Sequence, residues 1–239
     1  MRAVVLLFFA LSLLSPVSTL FADDTPEPTI DAEIRARIDA LISEEFHYDL
    51  GFLWLDQVAV ATFKLQKSTR PGIYIASLSA KTVGVAATLT SNRKQQYVSM
   101  MKLMPDGSFR SVRHTSQKEK GGVVRTKVYV YDYDQREVLM QYSKNYQLLD
   151  EHTLQIEGED FPSDVITTYF NLVIGAYGPM EVGAHYDVPA FSKKGVGNIR
   201  IEFLPSADRP KKSFFPENLL ICKVLVDQEI FDTKDGVIY

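Results

Sequence analysis

The chain has 239 residues and a formal net charge of −4, from 26 Lys and Arg side chains against 30 Asp and Glu. This balance argues against a nucleic-acid partner, because proteins that bind nucleic acid carry a strong basic excess. With one cysteine, Cys222, the chain cannot close an internal disulfide.

The N-terminal segment MRAVVLLFFALSLLSPVSTLFADD has the layout of a secretory signal peptide. A single positive charge at Arg2 precedes an apolar run from Ala3 to Leu14, and Pro16 and the small residue Ala22 follow it. The apolar run of about a dozen residues is shorter than the roughly 20 that cross a membrane. We therefore expect a signal peptide over residues 1–22, export of the protein, and no transmembrane span in its mature form.

An acidic, proline-bearing linker over residues 23–29 follows, and residues 30–44 have the period of a short amphipathic helix. Thr29 is its expected N-cap. Its apolar face consists of Ile30, Ile34, Ile38 and Leu41. A helix with one such face packs on another part of the protein.

From residue 45 the apolar period changes to two, which predicts β-structure to residue 239. Segments such as LDQVAVATFKL alternate apolar and polar side chains, PDG and KGG are turn sequences, and VGVAATLT over 83–90 is one of the predicted strands. A single domain of about a dozen strands must curl or fold over itself. The sequence thus predicts a mainly β, barrel-like domain over 45–239: a strongly curved antiparallel sheet or barrel.

One segment interrupts this pattern, because residues 163–175 have the composition of a buried helix. Ser163 is the expected N-cap and Gly175 the expected end. The apolar side chains cover more than half of its circumference, so we expect the helix to plug or cover the concave face of the sheet. The remaining polar stripe is Thr167, Thr168 and Asn171, and we expect alanine at Asn171 to cost under about 1 kcal/mol.

The order EFHYDLGFLWLDQVAVATFKL, then VYVYDYD, SDVITTYFNL and VLVDQEIFDTKDGVIY, resembles the exported bacterial proteins grouped as domain of unknown function 3108. The resemblance covers residues 47–239 and implies a periplasmic β-fold, similar in outline to the half-barrel lipoprotein carriers of the Gram-negative envelope. It implies no catalytic residues. Val58 stands where that family has glycine, and the family continues beyond Gly236, so we expect a chain truncated at its C-terminal strand.

Motifs for metal, nucleotide or nucleophilic chemistry do not occur in the sequence. The histidines show neither HxH nor HExxH spacing, and there is no GxSxG, glycine-rich phosphate loop or CxxC. We therefore predict no metal site, no cofactor and no catalytic residue. Cys222 lies in the apolar run NLLICKVLV and is expected to be a buried strand residue rather than a reactive thiol.

The segment VVRTKVYVYDYD offers a candidate ligand site. Its alternation places five side chains on one face of a strand: Arg125, Lys127, Tyr129, Tyr131 and Tyr133. Two cations beside three tyrosines could hold an amphipathic or anionic ligand, and the aromatic pair Tyr169 and Phe170 could add further contacts. Alternatively, this face is the outer surface of the sheet, where tyrosines pack across strands and keep their hydroxyls in water.

Three classes of function stay open at this point. The first is a non-enzymatic periplasmic protein that binds or carries an apolar or amphipathic envelope ligand, such as a lipid. The second is an envelope scaffold that docks protein partners through an exposed edge strand. The third is an enzyme, for which the sequence offers no pairing of a nucleophile with a base. A large interior cavity would favour the first class over the second.

Overall fold

The structure, a computed structural model, describes residues 27–52, 55–192, 195–208, 210, 219–226 and 237–238. The expected signal peptide and most of the linker lie outside the described residues. Within the described residues, no helix has the length and apolar character needed to cross a bilayer.

Eight consecutive strands form one antiparallel sheet in sequence order. They are β1 (Glu45–Phe52), β2 (Leu55–Lys67), β3 (Ile73–Thr82), β4 (Lys94–Leu103), β5 (Phe109–Lys120), β6 (Val123–Asp132), β7 (Glu137–Lys144) and β8 (Gln147–Gln155). Every strand pairs with its sequence neighbour, so alternate residues share one face, except where a β-bulge shifts the register, as between β4 and β5. We call the face that carries the buried side chains Phe63, Tyr74, Tyr97 and Tyr129 the inner face.

A second antiparallel sheet follows, with the order β12-β11-β10-β9. Its strands are β9 (His185–Ser192), β10 (Gly195–Leu204), β11 (Ile221–Leu225) and the two-residue β12 (Val237–Ile238). The prediction of a mainly antiparallel β-protein is confirmed. The predicted barrel of about a dozen strands is wrong. The described residues form eleven strands of five residues or more, in two sheets. The larger sheet does not close, because its edge strands β1 and β8 each pair on one side only.

Three helices accompany the sheets within the described residues, and a short 3-10 turn covers Ser206–Asp208. Helix α1 (Ala32–Ile42) lies inside the predicted range, but its N-cap is Asp31 rather than Thr29. The Asp31 carboxylate accepts hydrogen bonds from the backbone N–H groups of Glu33 and Ile34 at 2.8 and 3.3 Å. A carboxylate at this position also interacts favourably with the positive end of the helix dipole.

Helix α2 (Gly84–Leu89) replaces the strand predicted over 83–90. Gly84 has a positive φ of 56°, a conformation that glycine adopts at little cost and that turns the chain out of the sheet after β3. None of the six residues of α2 is buried. The apolar composition that predicted a strand therefore belongs to an exposed helix.

Helix α3 (Val165–Ile174) lies between the two sheets. Ile166, Phe170 and Ile174 join the core of the larger sheet, because residues four apart share one side of a helix. Leu172 packs instead on Ile199 and neighbouring residues of the smaller sheet. The helix is thus covered on two sides, as its composition predicts. Since α3 and the second sheet cover the inner face, the larger sheet does not need to close on itself.

The polar stripe of α3 is buried as well. Asn171 is 3% exposed; its side-chain oxygen accepts from the Phe109 N–H at 2.7 Å and its Nδ2 donates to the Phe109 carbonyl at 2.8 Å. Alanine at this position would leave both backbone groups unpaired in the core. The small cost expected from the sequence for Asn171→Ala therefore does not hold.

The carboxylate of Glu27 ties the N-terminal segment to α1 and the larger sheet. It accepts hydrogen bonds from Lys67 Nζ at 2.6 Å, Tyr74 Oη at 2.6 Å and Arg35 Nη1 at 2.5 Å. Burial by itself raises the pKa of a carboxyl group, but these donors outweigh it and lower the pKa of Glu27 to about 2. Helix α1 and strands β2 and β3 thus each donate a hydrogen bond to the Glu27 carboxylate.

Candidate ligand-binding cleft

A cleft of about 640 Å³ lies on the inner face, between strands β4–β7 and the covering elements α3 and β9. Its aromatic and apolar lining consists of Tyr97, Tyr129, Met140, Tyr142, Val165 and Phe191. Its basic lining consists of Arg93, Lys118, Lys120, Arg125 and Lys127. The cleft is therefore amphipathic, with charge and aromatic surface in one concavity.

The strand register arranges this lining, together with Lys144 opposite Arg125, in rows across the sheet. The row nearest the β5–β6 turn places Lys118, Arg125 and Lys144 directly opposite one another on three neighbouring strands. The next row is Ser116, Lys127 and Tyr142, and the third is His114, Tyr129 and Met140. Like charges directly opposite each other destabilise a sheet. The direct pairing of Arg125 with Lys144 is thus a cost to the fold, and binding of an anion beside them would relieve it.

Several of these cations are not neutralised by the protein. Four of them have neither a hydrogen bond nor an ion pair from their side chain to another described residue: Lys120, Arg125, Lys127 and Lys144. Three acidic residues line the same cleft against five Lys and Arg side chains: Asp150, Asp164 and Glu119, which Lys94 engages at 3.4 Å. A concave surface with excess positive charge focuses the field and attracts anionic groups.

Aromatic rings form the floor of the cleft. The ring of His114 stacks on Tyr97 with centroids 6.1 Å apart, and its other neighbour is Tyr129 at 6.2 Å. Phe191 of β9 meets Tyr129 edge to face at 6.4 Å. Stacked and edge-to-face rings provide a rigid apolar surface with little side-chain entropy to lose on binding.

Asp164 lies beneath this floor and is the N-cap of α3. Its carboxylate accepts hydrogen bonds at 2.7 Å from the hydroxyls of Ser99, Ser111 and Thr167. The predicted N-cap, Ser163, pairs instead with the smaller sheet: its N–H donates to the Pro189 carbonyl at 3.0 Å. Because Ser163 is engaged in that pairing, the N-cap of α3 is the next residue, Asp164.

His114 completes this buried cluster. Its Nδ1 lies 2.8 Å from Ser99 Oγ and 3.2 Å from Asp164 Oδ1. Since the Ser99 hydroxyl donates to Asp164, Nδ1 is the donor in this contact, and it faces two acceptors, Ser99 Oγ and Asp164 Oδ1. Ser99 and His114 thus both contact the Asp164 carboxylate directly. In a catalytic triad, by contrast, the histidine lies between the serine and the aspartate. The cluster joins β4, β5 and α3, and so positions the floor of the cleft.

The pKa of Asp164 reflects these contacts. Burial alone raises the pKa of a carboxyl group, but the interaction with His114 and the hydrogen bonds from His114, Ser99 and Ser111 outweigh it. The pKa of Asp164 is therefore held well below its ordinary value. The group is a stable buried anion at neutral pH.

Three of the side chains predicted from β6 line the cleft: Arg125, Lys127 and Tyr129. Tyr131 lies further along β6, where its ring meets Phe191 at 6.2 Å. Tyr133 donates its hydroxyl to the Pro162 carbonyl at 2.9 Å. The alternative interpretation, an outer surface with hydrated hydroxyls, is wrong, because this face is the inner one and Tyr129 and Tyr131 are 8% and 7% exposed.

The structure does not bring Tyr169 and Phe170 to this cleft. The Tyr169 hydroxyl is hydrogen-bonded to that of Tyr48 at 2.7 Å, near β1. Phe170 is fully buried and packs on Phe63 with ring centroids 5.6 Å apart. Both residues belong to the core of the larger sheet, since they lie toward β1 and β2 and the cleft toward β5–β7.

The sequence analysis did not identify Lys118 and Lys144 as the neighbours of Arg125 in the cationic row. The glycine pair of the β5–β6 turn is a local signal that could have placed Lys118. Gly121 and Gly122 both have positive φ, 55° and 75°, as a two-residue hairpin turn requires. That turn sets the register and places Lys118 opposite Arg125. The Asp164 cluster has no comparable signal, because its members come from β4, β5 and α3.

Cys222 lies on β11 as expected but is half-buried rather than buried, and this partial burial raises the pKa of its thiol to about 11. The thiolate is the reactive form, so we expect the native protein to react slowly with maleimide or a chromogenic disulfide. Labelling should become fast once the protein is unfolded in guanidinium. Fast stoichiometric labelling of the native protein would contradict this assignment.

No group of three or more His, Cys, Asp and Glu side chains that could hold a metal ion occurs in the described part of the chain. Comparison with known proteins was also negative: no family model, no curated protein and no solved structure matches the chain. Functional inference for this protein therefore rests on the geometry and charge of the cleft.

Proposed function

We propose that this protein is an exported, non-enzymatic binding protein that holds an amphipathic ligand with an anionic head group in its inner-face cleft. The observation that carries the proposal is the row formed by Lys118, Arg125 and Lys144 at one end of an aromatic cleft. Like charges placed directly opposite one another weaken a sheet, and a carboxylate or phosphate beside Arg125 and Lys144 lowers the repulsion between these two.

The dimensions and chemistry of the cleft support the same ligand class. Its volume of about 640 Å³ lies within the range of small-molecule sites. An acyl chain or other apolar body would lie over Tyr97, Tyr129 and Phe191, and the head group would face Arg125 and Lys127. A periplasmic location is part of this proposal, because residues 1–22 have the layout of a secretory signal peptide.

The proposal is tested by titrating the protein with a fluorescent fatty-acid analogue. We expect Arg125→Met to weaken binding by about tenfold, because it removes a charge-assisted contact with the carboxylate. The matched control is Arg113→Met, on β5, where Arg113 is exposed on the face opposite His114. That variant should bind the analogue as the wild type does.

A second titration separates charge recognition from apolar capture. The corresponding fluorescent alcohol has the same chain and no charge, so it should bind the wild type less tightly than the acid. Equal affinity of Arg125→Met and Arg113→Met for the acid, or a lack of saturable binding by the wild type, would refute the proposed function.

A further inference from the structure

The most exposed apolar side chains of the protein concentrate at one end of the larger sheet. Among the described residues, the three large apolar side chains with the greatest exposure are Tyr146 at 80%, Leu89 at 79% and Val85 at 73%. Val85 and Leu89 lie on α2, and Tyr146 lies in the β7–β8 turn. We call α2, the β5–β6 turn and the β7–β8 turn together the loop end of the sheet.

Backbone hydrogen bonds hold these three segments side by side. The Gly121 N–H, in the β5–β6 turn, donates to the Ser91 carbonyl just beyond α2 at 3.2 Å. The Asn145 N–H, in the β7–β8 turn, donates to the Val124 carbonyl at the start of β6 at 2.8 Å. The segments that carry the exposed apolar groups therefore lie at the same end of the sheet, where β6 begins.

Helix α2 makes no contribution to the core that would explain its apolar composition. None of its residues is buried, while Val85 and Leu89 both point into solvent. The chain returns from α2 to β4 through Ser91 and Asn92, which have positive φ values of 58° and 52°. Residues other than glycine adopt this conformation infrequently, so the fold presents the helix at some cost to the backbone.

Basic side chains lie at the same end of the sheet as these apolar groups. Lys120, Arg125 and Lys144 are at the same end of the sheet, and their side chains have no hydrogen-bond or ion-pair partner among the described residues. Exposed apolar side chains flanked by basic ones are how peripheral proteins bind anionic lipid: the apolar groups enter the head-group layer and the cations approach the phosphates. Tyrosine is also favoured at the membrane–water interface.

We infer that the loop end docks on the surface of an anionic lipid bilayer, with Val85, Leu89 and Tyr146 in the head-group layer. This orientation points the cationic end of the cleft at the membrane, because the cleft residues Lys118 and Arg125 each lie three positions from the β5–β6 turn. Docking does not depend on the proposed cleft ligand, since Val85 and Leu89 are not part of the cleft lining.

The inference is tested by co-sedimentation of the full chain with vesicles. We expect the wild type to partition into vesicles of phosphatidylcholine mixed with phosphatidylglycerol much more than into vesicles of phosphatidylcholine alone. Added salt should reduce this partition, because it screens the attraction between cations and lipid.

The decisive comparison is between two valine-to-aspartate variants. Val85→Asp places a charge in the docking surface and should reduce partition by about tenfold or more. Val182→Asp makes the same change at an exposed valine, 57% exposed, in the turn before β9, and should partition as the wild type does. All three proteins share the same N-terminus, so a difference between them is assigned to the substituted site.

Circular dichroism and thermal melts should show both variants folded like the wild type, because neither valine is buried. Equal partition of the two variants, equal partition into neutral vesicles, or no vesicle binding by the wild type would overturn the inference; the last result would point to a protein partner for this surface. Val85→Asp should keep wild-type affinity for the fluorescent fatty acid. Failure of that probe to bind any variant would count against the cleft proposal alone.

Discussion

Replacement of Asp164 by alanine is expected to destabilise the protein by about 3–5 kcal/mol, as removal of one partner from a buried charged network does. The substitution removes the N-cap of α3 and leaves the hydroxyls of Ser99 and Ser111 without their acceptor. It also removes the carboxylate that interacts with His114, which is 6% exposed. Urea denaturation followed by tryptophan fluorescence or circular dichroism measures the change.

The control is Asp31→Ala, which removes an N-cap of the same chemical type from α1. Asp31 caps through two backbone N–H groups in an exposed position, so its loss should cost about 0.5–2 kcal/mol. A cost for Asp164→Ala no larger than that of Asp31→Ala would show that the buried cluster contributes nothing beyond a helix cap.

Acid should reduce the difference between wild type and Asp164→Ala. The pKa of Asp164 is lowered in the folded protein, so its stabilisation is fully present above the ordinary carboxyl pKa of ~3.9 and is lost as the pH falls through the folded value. The difference in unfolding free energy should therefore be large near neutrality and narrow in strong acid. Glu27 also has a lowered pKa, but it is present in both proteins and cancels in the comparison.

Phe170→Ala is expected to cost about 3–5 kcal/mol, because it removes a fully buried ring and leaves a cavity. The ring packs against Phe63 and Tyr169, with centroid distances of 5.6 and 5.2 Å, and those two rings also contact each other at 4.6 Å. Its loss separates α3 from the larger sheet at the centre of their contact. Denaturant unfolding of the purified variant gives the change directly.

Phe161→Ala is the matched control, since Phe161 is 45% exposed and the truncation is chemically identical. Its ring lies under the Arg110 guanidinium at 3.7 Å, so we expect a cost of about 1 kcal/mol. If both variants lost equally little stability, α3 would be a movable lid over the inner face rather than part of the core, because lids come from the less stable parts of a structure.

Local pattern was enough to predict the class of fold and its most buried helix. Alternation with period two requires one face of each strand to differ from the other, and the eight-stranded sheet follows that alternation. The α3 segment is too apolar to have a solvent face, and Gly175 ends it with a positive φ of 82°. These features depend on residues that are neighbours in the chain, so the sequence displays them.

The sequence pattern gave the wrong secondary structure, or left it open which face is buried, where the same residues are compatible with two arrangements. The apolar stretch over 83–90 satisfies a strand or a short helix, and the turn at Gly84 decides between them. The β6 segment has valines on one face and tyrosines on the other, so both faces are apolar enough to be the inner one. Closure of a barrel was also undecidable, because the position of α3 and the second sheet determines whether the inner face is already covered.

The sequence by itself determined that this protein is an antiparallel β-protein with one helix that has to be covered on more than one side, because periodicity and composition are local properties. Only the tertiary structure decided where function could reside. The cationic row needs the register of three strands, and the Asp164 cluster needs β4, β5 and α3 together. Contacts between residues distant in the chain depend on packing and register, which no short stretch of sequence specifies.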